Sequence, residues 1–194
     1  SFTAYSLLCG VVVPSPVAWI TSVDADGVVN AAPFSSYNYV AHSPPMLAVN
    51  IGERRGALKD TARNITRSHE FVVNVATEAN MELMHQCSAE FAPDASEVVA
   101  LGLELLPSQL VKPPRLAASP VQMECRLHQA VRLGRLNTLY IAEVVAFHLS
   151  DAVFDGKYVD SVAMRPIARL GGPYYAALGE IFQRPILQTP PSRP

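Results

Sequence analysis

Charge is scarce in this chain of 194 residues: Asp, Glu, Lys and Arg make up 16% of it, against 49% hydrophobic residues, and the formal net charge is −2. With no basic field to draw in polyanions, neither nucleic acid nor an anionic membrane is expected as a partner. So low a charged fraction leans toward a chain that hides part of its exterior in an oligomer. Apolar runs are short, and none approaches the ~20 residues of a membrane-spanning helix. The first residues show neither a charged opening nor a cleavable apolar stretch, so no export signal is expected. They also do not begin with Met. Cysteines are few and odd in number (Cys9, Cys87 and Cys125), without CxxC spacing. This argues against a disulfide framework and for a reducing cytoplasm, with each thiol a small buried hydrophobe.

Several chemical signatures are missing as well. No GxGxxG follows a strand, which removes support for a Rossmann nucleotide site. There is no GxxxxGK[ST] and no GxSxG, and the scattered serines and histidines suggest no triad. His85 and Cys87 form a lone HxC without further ligands, so no metal site is expected. His128 and His148 fall in apolar strand segments, where satisfied barrel residues are the ordinary case.

What is present is mostly strand. Residues 16–23 (PVAWITSV) form an apolar, β-branched run closed by Asp-Ala-Asp-Gly, a hairpin turn signal, and residues 28–33 return antiparallel. Residues 46–51 and 71–75 are further short strands. Over 121–128, Val121, Met123, Cys125 and Leu127 alternate with Gln122, Glu124, Arg126 and His128, which predicts a half-buried strand with one wet or interfacial side. Residues 138–149 make a long apolar strand that bends or serves two sheets. Helical patterning is limited to Leu58, Ala62 and Ile65, with Asp60 as N-cap candidate, and to residues 77–87, with Thr77 as cap and Leu83 and Met84 facing inward. Many short strands with two or three short helices predict a β-barrel with helices packed outside it. Residues 184–194 hold four prolines and read as an extended arm or disordered tail.

Three segments could carry chemistry. After residue 33 a strand opens into a loop with adjacent hydroxyls, Ser35 and Ser36, between the aromatics Phe34 and Tyr37. Such a loop can donate to carbonyl or phosphate oxygens and pack on a flat ring, or be an ordinary polar turn. Residues 50–65 (NIGERRGALKDTARNI) place Arg54, Arg55 and Lys59 before a helix start, with Asp60 and Thr61 in its first turn. Cations, a hydroxyl and free helix N–H groups make a phosphate cradle, although solvated loop charges would look the same. The turn RLGGPYY, residues 169–175, could bring two tyrosines to a planar-ligand site or a dimer interface, although by itself it reads first as a structural turn. Trp19 could stack on a ligand, but a core tryptophan is more common.

Taken in order from about residue 14 to 175, these segments resemble the flavin reductase-like family, which includes flavoredoxin-like proteins. The resemblance runs through PSPVAWITSVDADGVVNAAPFSSYN, SPPMLAVNIG, KDTARNI, EFVVNV, VKPPRLAASPVQMECRL, TLYIAEVVAFH and RLGGPYY. It implies a mainly β fold, a six-stranded antiparallel Greek-key FMN-binding split barrel with a few peripheral helices. It further implies one domain over residues 1–183, a homodimer, and FMN near the subunit interface. By position, Phe34, Ser35 and Ser36 would approach the flavin ring and ribityl chain, and Asn50 and Ile51 would line it. Arg55, Lys59 and Thr61 would hold the phosphate, with Asp60 shaping the helix start or bonding ribityl hydroxyls. Trp19 and Thr21 would flank the ring. Ser15 departs from the arginine that such families often carry before the first-strand Pro-Val. NADH or NADPH would be the electron donor, and hydride chemistry belongs to the flavin, so no catalytic side chain is expected. The function implied is an NAD(P)H-dependent flavin oxidoreductase whose reduced flavin could serve a partner monooxygenase. The alternatives are a flavoredoxin-like electron carrier without a nicotinamide site, or a non-catalytic FMN-binding dimer.

Overall fold

Backbone hydrogen bonding draws most of the strand residues into one curled sheet. The computed structural model describes residues 2–91 and 95–184. In chain order these carry α1 (Phe2–Val11), β1 (Ser15–Pro16), β2 (Ala18–Val23), β3 (Val29–Phe34), β4 (Tyr37–His42), β5 (Pro45–Gly52), α2 (Asp60–Ser68) and β6 (Glu70–Val75). After a 3₁₀ turn (Glu78–Asn80) come α3 (Met81–Gln86), α4 (Glu97–Ala100), β7 (Leu105–Leu106), β8 (Arg115–Leu116), β9 (Val121–Leu133), β10 (Asn137–Leu149), α5 (Ser161–Met164), β11 (Ala168–Arg169) and β12 (Tyr175–Ala176).

The principal sheet has seven antiparallel strands in the order β3-β2-β6-β9-β10-β5-β4, one more than the six expected. The extra strand is β4, which extends what reads in the sequence as a loop after residue 33 and adds itself to the edge of β5. β3 and β4 lie at opposite ends of this order, yet only Ser35 and Ser36 separate them in the chain. The sheet must therefore curl until its edges meet. β3 lies against β5, and the Asn50 N–H donates to the Ser36 carbonyl at 2.8 Å. The barrel closes through this seam, while the hydrogen-bond ladder stays open there.

Strand alternation loads both faces of the sheet. Ala18 and Ile20 of β2 point inward with Phe34, Leu47, Val49, Ile51, Phe71, Val73 and Tyr140, and α2 plugs this core with Ala62 and Ile65. Val17 and Trp19 point outward and are covered by Met84, Cys87, Val98, Leu103, Leu116 and Ile167. With both faces dry, β2 needs the continuous apolar run seen in its sequence. The hairpin signal at residues 24–27 gives a turn in which Asp24 Oδ1 accepts from the N–H groups of Asp26 (2.9 Å) and Val28 (2.8 Å), with Gly27 at φ 86°. Thr77 caps its helix as expected: its N–H donates to Asn80 Oδ1 at 2.8 Å in a reciprocal capping box.

Three expectations need correction. The polar face of β9 is not wet at its start, because residues 105–116 strap across it. Glu124 is fully buried and accepts from the N–H groups of Gln109 (2.7 Å), Leu110 (2.6 Å) and Val111 (3.1 Å) and meets His148 Nε2 at 2.6 Å. Gln122, also buried, accepts from Arg115 at 3.1 Å; only from Arg126 and His128 onward does that face reach solvent. The N-cap of α2 is Lys59, extended at φ −65° and ψ 156°; Asp60 begins the helix and pairs with Arg63 one turn on. The helices α1, α4 and α5 carry no clear periodicity in the sequence and were not expected. The Pro-rich arm, from residue 185, lies outside the described residues.

Candidate functional site

The seam gathers residues distant in sequence. Phe34 is buried at the end of β3, Ser35 is half-buried and Ser36 is exposed. Opposite them, Asn50 is half-buried and Ile51 is buried. Asn137, opposite Gly52 on β10, donates from Nδ2 to Asn50 Oδ1 at 3.3 Å and fixes that amide. A side chain at Gly52 would stand 3.2 Å from Asn137 Nδ2, so glycine keeps this support in place. The result is an apolar wall from Phe34 and Ile51, edged by hydroxyl and amide groups. Tyr37 follows the seam, its hydroxyl pushed up to about 12 by burial and by the neighbouring Cys125.

Cations stand beside this wall. Arg54 and Ala57 exchange backbone hydrogen bonds at 2.9 and 3.0 Å, with Arg55 at φ 52° and Gly56 at φ 78° between them. Positive φ at both central residues defines a type I′ turn, where Asn or Gly is preferred, so an arginine there holds a strained backbone. Lys59 follows at the N-cap of α2, half-buried, its Nζ 5.4 Å from the centre of the Phe34 ring. Burial, and then the charge of Arg54, hold its ammonium below the ordinary lysine value. No carboxylate among the described residues pairs with it. A cation that is desolvated, repelled by a neighbour and unpaired at a helix start has unmet demand for an anion. Glu90, at the end of the turn after α3, faces the two arginines: its Oε1 lies 3.9 Å from Arg54 and 3.6 Å from Arg55.

The structure therefore brings together Phe34, Ser35, Ser36, Asn50, Ile51, Arg55 and Lys59. Asp60 is adjacent but engaged with Arg63. Thr61 is buried, and its hydroxyl donates to Asn30 Oδ1 at 2.7 Å. Asn30 in turn donates to both oxygens of buried Glu97 at 2.9 Å, and Glu97 also accepts from the Ala31 N–H at 3.1 Å. This network ties α2 and α4 to β3; burial raises the Glu97 carboxyl above its ordinary value, against the pull of those hydrogen bonds. Trp19 and Thr21 are not brought to the seam. Both are fully buried on the outward face of β2, where Thr21 donates to the Pro114 carbonyl.

Sequence reading missed Glu90, Asn137 and a cluster at the RLGGPYY turn. There Arg169 donates to Tyr175 Oη at 2.6 Å and covers the Tyr175 ring at 4.7 Å, while His85 Nδ1 lies 3.2 Å from that hydroxyl. Only the turn itself carried a signal. Two cavities, of about 680 and 290 Å³, lie elsewhere: one among Thr77, Pro120, Val153 and Arg165, the other between Trp19, Leu83 and Leu116. Neither cavity is lined by residues of the seam or the cation cluster.

The class of protein defined here is a split β-barrel whose seam gathers apolar, hydroxyl and amide side chains beside the cations Arg54, Arg55 and Lys59. Comparison agrees with that class. Residues 11–164 match the family model described as flavin reductase like domain. The uncharacterized protein YwrF of Bacillus subtilis (strain 168) is 39% identical over 185 residues, 92% of this chain and 90% of its own length. Nitrilotriacetate monooxygenase component B from Bacillus cereus superposes with a TM-score of 0.92 at 34% identity, covering 95% of this chain and 94% of that one. The 2-nitrobenzoate 2-nitroreductase NbaA of Pseudomonas fluorescens gives 0.91 at 31% identity, covering 99% and 94%. The chain belongs to the flavin reductase-like family.

Proposed function

We propose that this protein is an FMN-binding, NAD(P)H-dependent flavin oxidoreductase working as a homodimer in the cytoplasm, over a single domain spanning residues 1–183. The observation that carries the reading is Lys59, a half-buried cation without a carboxylate partner that stacks over Phe34 at the start of α2. Phosphate is the anion that this position suits: Lys59 supplies charge, Arg55 a second cation, and the first N–H groups of α2 lack partners within the helix. Phe34 and Ile51 offer the apolar wall a flavin ring needs, and Ser35, Ser36 and Asn50 the polar groups for its edge and ribityl chain. When bound, FMN supplies the hydride-accepting chemistry, so this chain has to bind, orient and exclude water. Trp19 and Thr21 serve by holding β2 from its outer side.

The homodimer is supported by apolar surface that one copy leaves bare. On α1 and just beyond it Tyr5, Leu7, Leu8, Val11 and Val12 are exposed, as are Tyr39 and Val40 on edge strand β4. Solvent-facing apolar surface on that scale marks an interface. Sedimentation at low micromolar concentration is expected to give twice the 21.0 kDa chain mass, and a clean monomer refutes the dimer.

Similarity to a monooxygenase component favours delivery of reduced flavin to a partner oxygenase. Similarity to a nitroreductase favours a second reading, in which a small substrate is reduced directly on the bound flavin. Both require nicotinamide to reduce the flavin. Anaerobic mixing of the FMN-loaded protein with excess NADH or NADPH is expected to bleach the flavin absorbance. If dithionite bleaches it and neither nicotinamide does, the electron-carrier alternative replaces the oxidoreductase.

A further inference from the structure

We propose that Glu90 is a built-in counter-ion of the Arg54–Arg55–Lys59 cradle, which a ligand phosphate displaces, and that it limits how strongly the site prefers a phosphorylated flavin. The proposal rests on the reading of this cradle as the phosphate site.

Glu90 is held in place loosely. The backbone just before it is anchored to α3, with Ser88 N–H donating to His85 O at 2.9 Å and Ala89 N–H to Gln86 O at 3.1 Å. From that tether one carboxylate oxygen faces both guanidinium groups at 3.9 and 3.6 Å. Charge-assisted hydrogen bonds close to about 2.7–2.9 Å, so both contacts act through space. Other pairs in this protein do close: Arg165 meets Glu78 at 2.6 Å and Arg132 meets Glu53 at 2.5 Å. Glu90 and Arg55 also keep much of their solvent exposure, 55% and 82%, so separating them leaves no dry charge behind.

The charge balance points the same way. Among the described residues Asp60 is taken by Arg63 and Glu53 by Arg132, which leaves Glu90 facing Arg54 and Arg55, with the unpaired Lys59 as the third cation of the cluster. The surplus of two positive charges matches a phosphate monoester, which carries about −1.5 to −2 at neutral pH. The same carboxylate opposes the incoming phosphate, since like charges at one site repel. A neutral flavin lacking the phosphate would not feel it.

Titration of wild type and Glu90→Gln with FMN and with riboflavin, followed by flavin fluorescence, tests this without turnover. Glu90→Gln is expected to tighten FMN about two- to tenfold, the range two exposed ion pairs can supply, and to leave riboflavin unchanged. Glu90→Ala should behave alike, which separates charge from side-chain shape. If wild type prefers FMN but Glu90→Gln leaves the FMN-to-riboflavin ratio unchanged or lowers it, the role of Glu90 is refuted and the cradle stands. A variant that tightens both flavins equally also refutes it. If wild type binds the two flavins alike, the phosphate reading itself fails, and this inference with it.

Discussion

Lys59→Met isolates the charge of the cradle from its packing. The methionine stem can still lie across Phe34, as the lysine does with its Nζ 5.4 Å from the ring centre, while the ammonium is lost. A hydrogen bond to a charged group contributes about 1.5–3 kcal/mol, so FMN affinity should fall about 10- to 150-fold and riboflavin affinity hardly at all. Stability should not fall with it: burial and Arg54 both disfavour the ammonium in the folded chain, so the melting temperature should hold or rise. The sign is checked by pH. Because the folded pKa lies below the ordinary 10.5, the unfolded chain binds more protons between the two values, and stability rises with pH across that window. Phosphate binding needs the proton, so wild-type FMN affinity should decline in the alkaline range, beginning below 10.5, and the variant should lack this decline. Paired FMN and riboflavin titrations from neutral to alkaline pH make the measurement. If Lys59→Met binds FMN as wild type does, the phosphate sits elsewhere and the cradle is surface charge.

Three further outcomes follow from buried groups. Glu124→Ala should cost about 3–5 kcal/mol in denaturant unfolding, because it strands three backbone N–H groups and a histidine; a loss under 1 kcal/mol would mean the 105–116 strap is held some other way. Burial acts to raise the Glu124 carboxyl, but the Gln109 and Leu110 N–H groups and His148 outweigh it, so its contribution is present above 4.5 and lost as pH falls through the lowered value. Glu97 has the opposite sign: with its folded pKa raised chiefly by burial, its contribution is full below 4.5 and declines as pH rises through that raised value. The melting temperature of wild type relative to Glu97→Gln should therefore grow as pH is lowered from 7 toward 5, and a constant difference would contradict the shift. Finally, burial pushes the Cys87 thiol up to about 12 and raises Cys125 as well, whereas Cys9 is partly exposed. A thiol reagent at neutral pH should modify one cysteine in the native protein and three after denaturation; rapid native labelling of Cys87 would show that the layer over Trp19 opens.

The strands were legible because their sequences answer to one dominant force. Residues 18–23, 45–52 and 70–75 are apolar on both faces, and the Asp-Gly turn fixes the first hairpin by backbone geometry alone. The cation cluster proposed as a phosphate cradle was legible for a similar local reason, since Arg55, Lys59 and the start of α2 lie within a few residues of each other. What failed to show was whatever depends on distant chain. Glu124 sits in an alternating pattern that predicts solvent, and only the arrival of residues 105–116 turns it into a buried acceptor. Trp19 looks like a ligand platform until Met84, Cys87 and Leu116 are seen to cover it. Glu90 and Asn137 belong to other elements altogether, and nothing in their own neighbourhoods announces the partners they meet. Family resemblance supplied the slot; the backbone of β4 supplied the reason it exists.

The seam also makes the slot a gauge of the whole barrel. β3 and β5 meet at the seam although five strand pairings lie between them around the sheet. Neighbouring strands are rotated by about 20–25° on average, so a change of about 1° per pairing, harmless to any one ladder, would add up to about 5° at the seam. The two-residue bridge of Ser35 and Ser36 leaves no slack to absorb it. The register shifts in β10, between Ile141 and Ala142 and between Val144 and Ala146, lie outside the seam yet belong to this summation. Substitutions there would tune the spacing of the seam, and selection acting on the seam would reach residues outside it.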